Sequence, residues 1–584
     1  MPKGRGLIGR LWDWIYERSG LDHLPFFRVP YSYMKLEFWL GALVASSFML
    51  LVITGLLLLF YYNPADPVGS NKALIEEKPF GRLLLTTHLY AAHAMILSAI
   101  IHFFRNFLVG AYKKPRELVW IVGIITGLIM IQTAFFGYSM VGDKIAQEAV
   151  AIGSGLVADS FGTYWGKVLV ALAFGIEEET RYFRLLAIHI IMAGLLGLLF
   201  ALHFGLFEQH GPQPDHRETR WRRRPEKISQ DRKDLAPWFP VNLLYILVVT
   251  LGIWGIIILA NAVSQAAGFV HQLLYPLPIF EDSPIAEKAR PMPPWFLVYA
   301  FKIFQLDFLY LPYEGHAALL IFILAMVLPP LILAIFPFVD KSEYTNPLHR
   351  PWITIVGGLV LIYLIQLTIW GALSIGYSSL YSVAIIFLLP AIIVIEGVLI
   401  MSNVVKGRKI TPLQFGLLMA VILIGFIAPF LPVLLGESTE ASWADAATAI
   451  IGVAGAIAYL GILGALMPEE SESTAVGSSP TASTSNRGSS EERGDPSLFF
   501  MITGILEFAL IVFSGVFLGL VIDPIANPAG ATALWALVFL GGYGLVHILY
   551  RVLTLDKIPY KGPSEAIPHL LVLIAFLIAL PIII

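Results

Sequence analysis

At 584 residues, 57% apolar and only 14% charged, with mean hydropathy +0.76, the chain cannot be an ordinary soluble domain or a disordered one and reads as a polytopic membrane protein. Its 38 basic and 41 acidic residues leave a net charge of −3, which singles out no partner class, and nucleic acid is not expected among the partners. With no cysteine, disulfides, iron–sulfur ligation, zinc thiolates and thioether-attached cofactors are excluded within this chain.

Residues 1–36 form an amino-terminal cytoplasmic or interfacial segment, of which 1–29 are basic and aromatic without a cleavable signal pattern, and Trp12, Trp14, Tyr16, Phe26 and Phe27 suggest an amphipathic stretch at the membrane interface. Apolar runs of about twenty residues then predict spans at 37–60, 84–107, 118–139, 185–207, 240–263, 316–338, 352–374, 380–402, 413–435, 444–466, 498–522, 531–552 and 566–583. Lysines and arginines in short loops set the orientation. Lys3, Arg5 and Arg10, Lys113, Lys114 and Arg116, the stretch Arg217 to Lys233, and Lys406, Arg408 and Lys409 all fall on one side, which predicts a cytoplasmic amino terminus. Glu76, Glu77, Glu177 to Glu179, Glu281, Asp282, Glu437 and Glu440 fall on the other. The organisation read from this is a first helical unit over 37–215, a basic loop over 216–238, a second unit over 239–405 and two more spans over 406–467. A Ser-, Thr-, Glu- and Gly-rich linker over 468–497 precedes three terminal spans over 498–584.

Two early spans carry the chemistry. His88 and His102 lie fourteen residues apart, and so do His189 and His203. That spacing is four helical turns less about 40°, so both members of a pair leave nearly one face of their helix, ~21 Å apart along it. Histidine at membrane depth is costly and marks function more often than packing, although polar glue between helices is the alternative. The repeated spacing predicts two ligands stacked across the bilayer, each held by one histidine from each helix, a geometry that suits haem iron with two axial imidazoles. The neighbouring spans repeat the interval with glycines, Gly41 and Gly55 on one and Gly123 and Gly137 on the other, where a macrocycle edge would need a position without a Cβ.

Residues 30–215 resemble the amino-terminal half of cytochrome b, the dihaem quinol-oxidising subunit of bc-type complexes. The resemblance rests on the ITGLLLLFYYNP end of the first span, the four histidines, the four glycines, Arg105 three residues after His102, Arg184 five before His189, and the turn Phe135 to Tyr138. Residues Leu235 to Val404 resemble the family's carboxy-terminal half. The resemblance implies an all-α membrane fold, a four-helix dihaem bundle with further spans, and two non-covalent haems, most simply haem b. It also implies arginines beside haem propionates, a surface helix over Lys144 to Ser160, quinol as substrate and a homodimeric assembly. Electrons would leave toward a Rieske-type iron–sulfur protein, with a cytochrome c or terminal-oxidase subunits as further partners, in a prokaryotic plasma membrane.

The expected quinol sites depart from the family pattern. Its Pro-Glu-Trp-Tyr motif aligns with Pro293, Pro294, Trp295 and Phe296, so the glutamate position is Pro294, which accepts no proton, and the tyrosine seven residues further on is Phe301. Trp295 and Tyr138 are expected to line the outer pocket, and Asp143, Glu281, Asp282 and Asp307 are candidates for the missing proton acceptor, each also readable as a solvated loop acid. At the cytoplasmic quinone site, Glu208 stands where the family has a histidine, with His210 and His216 nearby. Ile246 stands where it has an aspartate, with Asp234 nearby. His93 projects about 140° from His88 and reads as a helix contact, and His316 as interfacial. Glu507 is the one acid inside the terminal spans, readable as a proton or ligand contact or as ordinary packing. Three other readings remain: a subunit feeding a quinol oxidase, a dihaem anchor of a dehydrogenase, and a transporter with structural histidines, which would show paired broken helices.

Overall fold

The protein is represented by a computed structural model that describes residues 28–30, 38–175, 178–210, 235–237, 241–268, 278–281, 292–306, 327–374, 380–436, 439–466, 496–554 and 567–584. The amino-terminal aromatic segment, Asp234, His216, Asp282, Asp307, His316 and nearly all of the linker lie outside the described residues.

The architecture is helical, as expected, and ten described helices are long and apolar enough to cross a membrane. The expected spans at 316–338, 498–522 and 566–583 fall on shorter apolar stretches, Leu328–Val339, Ile505–Val516 and Pro568–Ile583. The first unit contains α1 (Leu40–Leu58), α2 (Pro67–Glu77), α3 (Gly81–Leu108), α4 (Glu117–Ser139), α5 (Lys144–Ala173) and α6 (Glu178–His210). Next come α7 (Val241–Ala266), the short α8 (Trp295–Phe304), α9 (Leu328–Val339), α10 (Pro351–Leu373), α11 (Leu380–Val405), α12 (Pro412–Ile427) and α13 (Glu440–Ala465). The terminal trio is α14 (Pro496–Leu520), α15 (Pro528–Thr554) and α16 (Ile567–Ile583). Extended backbone pairs Arg28–Pro30 antiparallel with Leu235–Pro237.

Sequence chemistry explains the helix ends that frame the site. Asp66 caps α2 by accepting from the Gly69 amide at 2.9 Å, with Pro67 at the first helical position, where a missing N–H costs nothing. Asp143 caps α5 in the same way, through the Ala146 amide at 2.8 Å. The loop helix α5 is longer than expected: it runs thirty residues to Ala173 rather than ending near Ser160, because nothing after the cap breaks it. Glycine residues within it cost propensity but no hydrogen bond.

In the first unit α1 packs along α3, and α4 along α6, giving two helix pairs that face each other. Between them lies an apolar layer of Val44, Met95, Ile96, Met130 and Leu196, joined by Phe296 from α8. Phe48 and Phe200 stack across the same layer, 5.5 Å apart and within 5° of parallel. These residues sit midway between the histidine positions in sequence, so the layer separates the two histidine levels. α7 packs against α1 and α3 on one side and against α15 on the other, tying the terminal trio to the bundle. A second core, built on Ile355, Ile362, Ile393, Val394, Val453 and Tyr459, holds α10, α11 and α13 together.

Candidate functional site

The four histidines meet in two pairs. His88 and His189 have ring centroids 6.5 Å apart at an interplanar angle of 70°. His102 and His203 are also 6.5 Å apart, at 79°. An imidazole nitrogen bonds a first-row metal at about 2.0 Å and its ring centroid lies about 1.1 Å behind, so two rings on opposite sides of one metal have centroids about 6.2 Å apart. Both pairs match that span, at two levels of one bundle.

Hydrogen bonding orients three of the four rings. His189 Nδ1 lies 2.9 Å from the Thr133 carbonyl and His203 Nδ1 lies 3.0 Å from the Val119 carbonyl. A carbonyl only accepts, so each Nδ1 carries the proton and each Nε2 keeps its lone pair for a metal. His88 reaches the same state by another route. The Thr54 hydroxyl gives its own proton to the Leu50 carbonyl at 2.6 Å, so it accepts from His88 Nδ1 at 2.9 Å. Such outer partners fix tautomer and ring angle and raise ligand basicity. His102 is held differently: Asn106, one turn on, sets its amide nitrogen 3.2 Å from both ring nitrogens, while its amide oxygen accepts from Arg105 at 3.1 Å.

The four glycines face these same rings. A Cβ on Gly41 would stand 3.3 Å from His102 Cε1, on Gly55 3.2 Å from His88, on Gly123 3.0 Å from His203 and on Gly137 2.6 Å from His189. In this structure the glycines therefore make room first for the imidazoles, each letting a ring from the neighbouring helix lie flat on its backbone. From the sequence they are expected to face a macrocycle edge. Val119 and Thr133, the two carbonyl partners, are themselves fourteen residues apart and four before Gly123 and Gly137. The interval thus carries ligand, gap and orienting acceptor together.

The donor set fits haem. Each level offers two imidazoles, and among the described residues no group of three or more His, Cys, Asp or Glu side chains is arranged to hold a bare ion. Two protein ligands on opposite sides suit a metal whose other four positions are filled by its own macrocycle.

The arginines divide. Arg105 sits one turn beyond His102, its guanidinium 4.6 Å over the Phe38 ring. Arg184 is turned toward α5 instead, donating to the Ala171 carbonyl in the last turn of that helix at 3.2 Å. Among the residues expected at the outer pocket, Phe296 is buried in the apolar layer and Pro294 caps α8. The Trp295 indole N–H donates to His93 Nδ1 at 3.0 Å. His93, read from the sequence as a helix contact, is therefore the partner of the motif tryptophan, and with Nδ1 accepting, its neutral ring carries a proton on Nε2.

Tyr138 is half-buried in the last turn of α4, and Asp143 follows just beyond that helix. Asp143 is buried, and its two oxygens accept separately from the Ala146 amide at 2.8 Å and the Ile279 amide at 2.7 Å, pinning the start of α5 to the 278–281 segment. Burial pushes its carboxyl up to about 6, against which those two amides act. Glu281 is exposed, so of the described acids Asp143 alone combines burial with a place in this loop. At the other end, Glu208 and His210 close α6, and Arg116 donates to the His210 carbonyl at 3.2 Å. Ile246 lies within α7.

Comparison with known proteins places the sequence in a family. The family model described as Cytochrome b(N-terminal)/b6/petB matches residues 93–278, a stretch that includes His102, His189 and His203. Cytochrome b of Sulfolobus acidocaldarius is 36% identical over 399 residues, 66% of this chain and 69% of that protein. Cytochrome b6 of Gracilaria tenuistipitata var. liui is 30% identical over 212 residues, which is 98% of that protein but 35% of this chain. Cytochrome b6 of Porphyra purpurea is 31% identical over the same length. A chain of a solved structure titled "Hyperthermophilic respiratory Complex III" aligns with 78% of this chain and 98% of its own length, at 20% identity and a TM-score of 0.46. On the sequence relationship, this chain belongs to the cytochrome b family, whose members bind haem and carry electrons in membranes.

Proposed function

We propose that the chain is the dihaem subunit of a quinol-oxidising complex of the bc type, with one haem between His88 and His189 and the other between His102 and His203. The observation that carries this is the pair of facing imidazoles repeated at two levels with the same 6.5 Å separation. When bound, each haem supplies one-electron transfer. The protein's own part is to present one imidazole from each of two helices at each level, to fix the Nε2 lone pairs of His88, His189 and His203 through Thr54, Thr133 and Val119, and to keep the two levels apart with an apolar layer. With the amino terminus cytoplasmic, the His88 level lies toward the outer face of a prokaryotic plasma membrane and the His102 level toward the cytoplasm. Quinol is oxidised near the outer level, one electron leaving to a Rieske-type iron–sulfur partner and the other crossing to quinone at the inner level, in a homodimeric assembly. Extraction of haem together with a potentiometric titration of the reduced-minus-oxidised spectrum tests it. Two haems per chain with two separate midpoints are expected, and one haem or none would overturn the reading.

Oxidising quinol also releases two protons, and Pro294 cannot take one. Asp143 is our choice of acceptor because it is buried, held by two amides and left with spare lone pairs on both oxygens. A carboxyl held near 6 is neutral below that pH and a base above it. Quinol oxidation should therefore rise about tenfold between pH 5 and pH 7, and Asp143→Asn should flatten the rise. The stability effect has the opposite sign. Because the folded value is raised above the ordinary 3.8, the stabilisation is full below about 3.8 and is lost as pH climbs through 6. A wild-type activity profile that is flat from pH 5 to 7 would remove Asp143 from this role.

A further inference from the structure

The terminal trio looks at first like added lipid-facing helix, yet its interior is ionisable. Glu507 on α14 and His569 on α16 are both fully buried, at 0% exposure. His569 Nδ1 lies 2.9 and 3.1 Å from the two Glu507 oxygens. His569 Nε2 lies 2.7 Å from Nδ1 of His547 on α15, and the two rings stack 4.9 Å apart at 18°. Tyr543, one turn before His547, lies over both rings at 5.9 and 6.1 Å. Gly544 leaves the space that the carboxylate fills, since a Cβ there would overlap Glu507. Three helices thus each contribute one member of an unbroken hydrogen-bonded line at membrane depth. A buried ion pair adds little stability over apolar packing of the same volume, so stability alone gives no reason to keep it.

Packing contacts join this group to the haem bundle. Tyr543 rests on Gly252 of α7, where a Cβ would come within 3.3 Å of its ring. Tyr245 lies one helical turn into the same helix α7. Tyr245 packs on Trp39 with centroids 4.4 Å apart. Trp39 caps α1 two residues before Gly41, the glycine that faces His102. The Thr250 and Ser46 hydroxyls, 2.8 Å apart, join the same two helices just beyond.

We propose that Glu507, His569 and His547 form a proton relay serving quinone reduction at the His102 level. This rests on the reading above that quinone is reduced there, where Glu208 and Ile246 replace the family's histidine and aspartate. The chemistry balances with one proton. With Glu507 ionised, His569 Nδ1–H donates to it, and His569 Nε2 accepts from His547 Nδ1–H. A proton reaching His547 Nε2 releases the Nδ1 proton to His569 Nε2, and His569 releases its Nδ1 proton to Glu507. The carboxylic acid then holds the proton while both imidazoles are neutral, and the reverse sequence returns it. Among the described residues, Tyr543 of α15 packs against this line.

The test uses the haem-loaded complex and Glu507→Gln, which keeps the shape and an acceptor for His569. Two readouts are followed. One is the redox infrared difference spectrum, where a carboxylic-acid C=O band that shifts in D2O should be present in the wild type and absent in the variant. The other is reoxidation of the His102-level haem by a short-chain benzoquinone, which should slow at least tenfold in the variant, while quinol-driven reduction of the His88-level haem and both midpoints stay unchanged. Glu507→Asp should restore both readouts in part. A folded Glu507→Gln complex that reoxidises at the wild-type rate, or retains the band, overturns the relay. If wild type itself shows no reoxidation by quinone at that level, the quinone-reduction reading has failed instead and the relay falls with it. Should Glu507→Gln not assemble, His547→Gln at the half-buried end decides by the same readouts.

Discussion

Replacing His189 with alanine should abolish one haem and leave the other with its midpoint essentially intact. The spectrum should fall to half amplitude, and the surviving wave should be the one that His102→Ala or His203→Ala removes. Two features make the loss local. Each imidazole faces its own partner at 6.5 Å, so one substitution leaves a single axial ligand at one level only. Between the levels, Val44, Met95, Ile96, Met130 and Leu196 form a packed layer that touches both helix pairs and involves neither ligand set. Graded changes should follow the hydrogen bonds. Thr54→Val removes the acceptor for His88 Nδ1 and should weaken haem retention at that level about 10- to 100-fold, with no effect at the other. Gly137→Ala should do at least as much, since its Cβ would stand 2.6 Å from the His189 ring, the tightest of the four approaches. Equal loss of both haems from His189→Ala would mean that the levels are not independent.

That much of the site was legible because helical geometry turns a sequence interval into a spatial one. Fourteen residues between His88 and His102, and between Gly41 and Gly55, already fix face and depth. What the sequence hides is of two kinds. The Thr133 and Val119 carbonyls are backbone groups, and no residue type announces that a main-chain oxygen will orient a ligand. The other kind depends on helices that meet only in the fold. His93 points away from His88 on its own helix, and only the docking of α8 shows that Trp295 comes to meet it. Glu507, His547 and His569 share no interval at all, since each lies on a separate helix. Asp143 was visible as a loop acid, but its burial and its bond to the Ile279 amide come from the packing of a segment more than a hundred residues away.

The second large effect is expected far from any ligand, at the joint between the haem bundle and the second helical unit. Asp340, just after α9, receives Lys113 at 2.8 Å, Arg350 at 3.1 Å and the Tyr112 hydroxyl at 2.7 Å, all on one oxygen. Arg350 also donates to the Tyr112 oxygen and the Thr345 carbonyl, each at 2.7 Å, and to the Leu108 carbonyl that ends α3. The helix bearing His88 and His102 is thus capped by a guanidinium from the entry to α10. All three charged side chains are nearly sealed from solvent, at 5% exposure or less. Removing the acid strands two buried cations, so Asp340→Ala should cost about 3–5 kcal/mol and lower the unfolding midpoint of the detergent-solubilised protein. Burial by itself would raise the Asp340 carboxyl, but Lys113, Arg350, Tyr112 and Ser342 outweigh it and hold the group below its ordinary 3.8. A depressed acid stabilises the fold above its unfolded value, so this contribution is complete above about pH 4 and disappears as pH falls below it. Restoring charge balance should recover much of the loss. Asp340→Leu combined with Arg350→Met and Lys113→Met should melt closer to wild type than Asp340→Ala does, because apolar groups of similar volume replace a buried network at little net cost. A single Asp340→Ala variant with an unchanged midpoint would show that the two units are held together by the packing of Phe107, Tyr112, Trp120 and Phe336 instead.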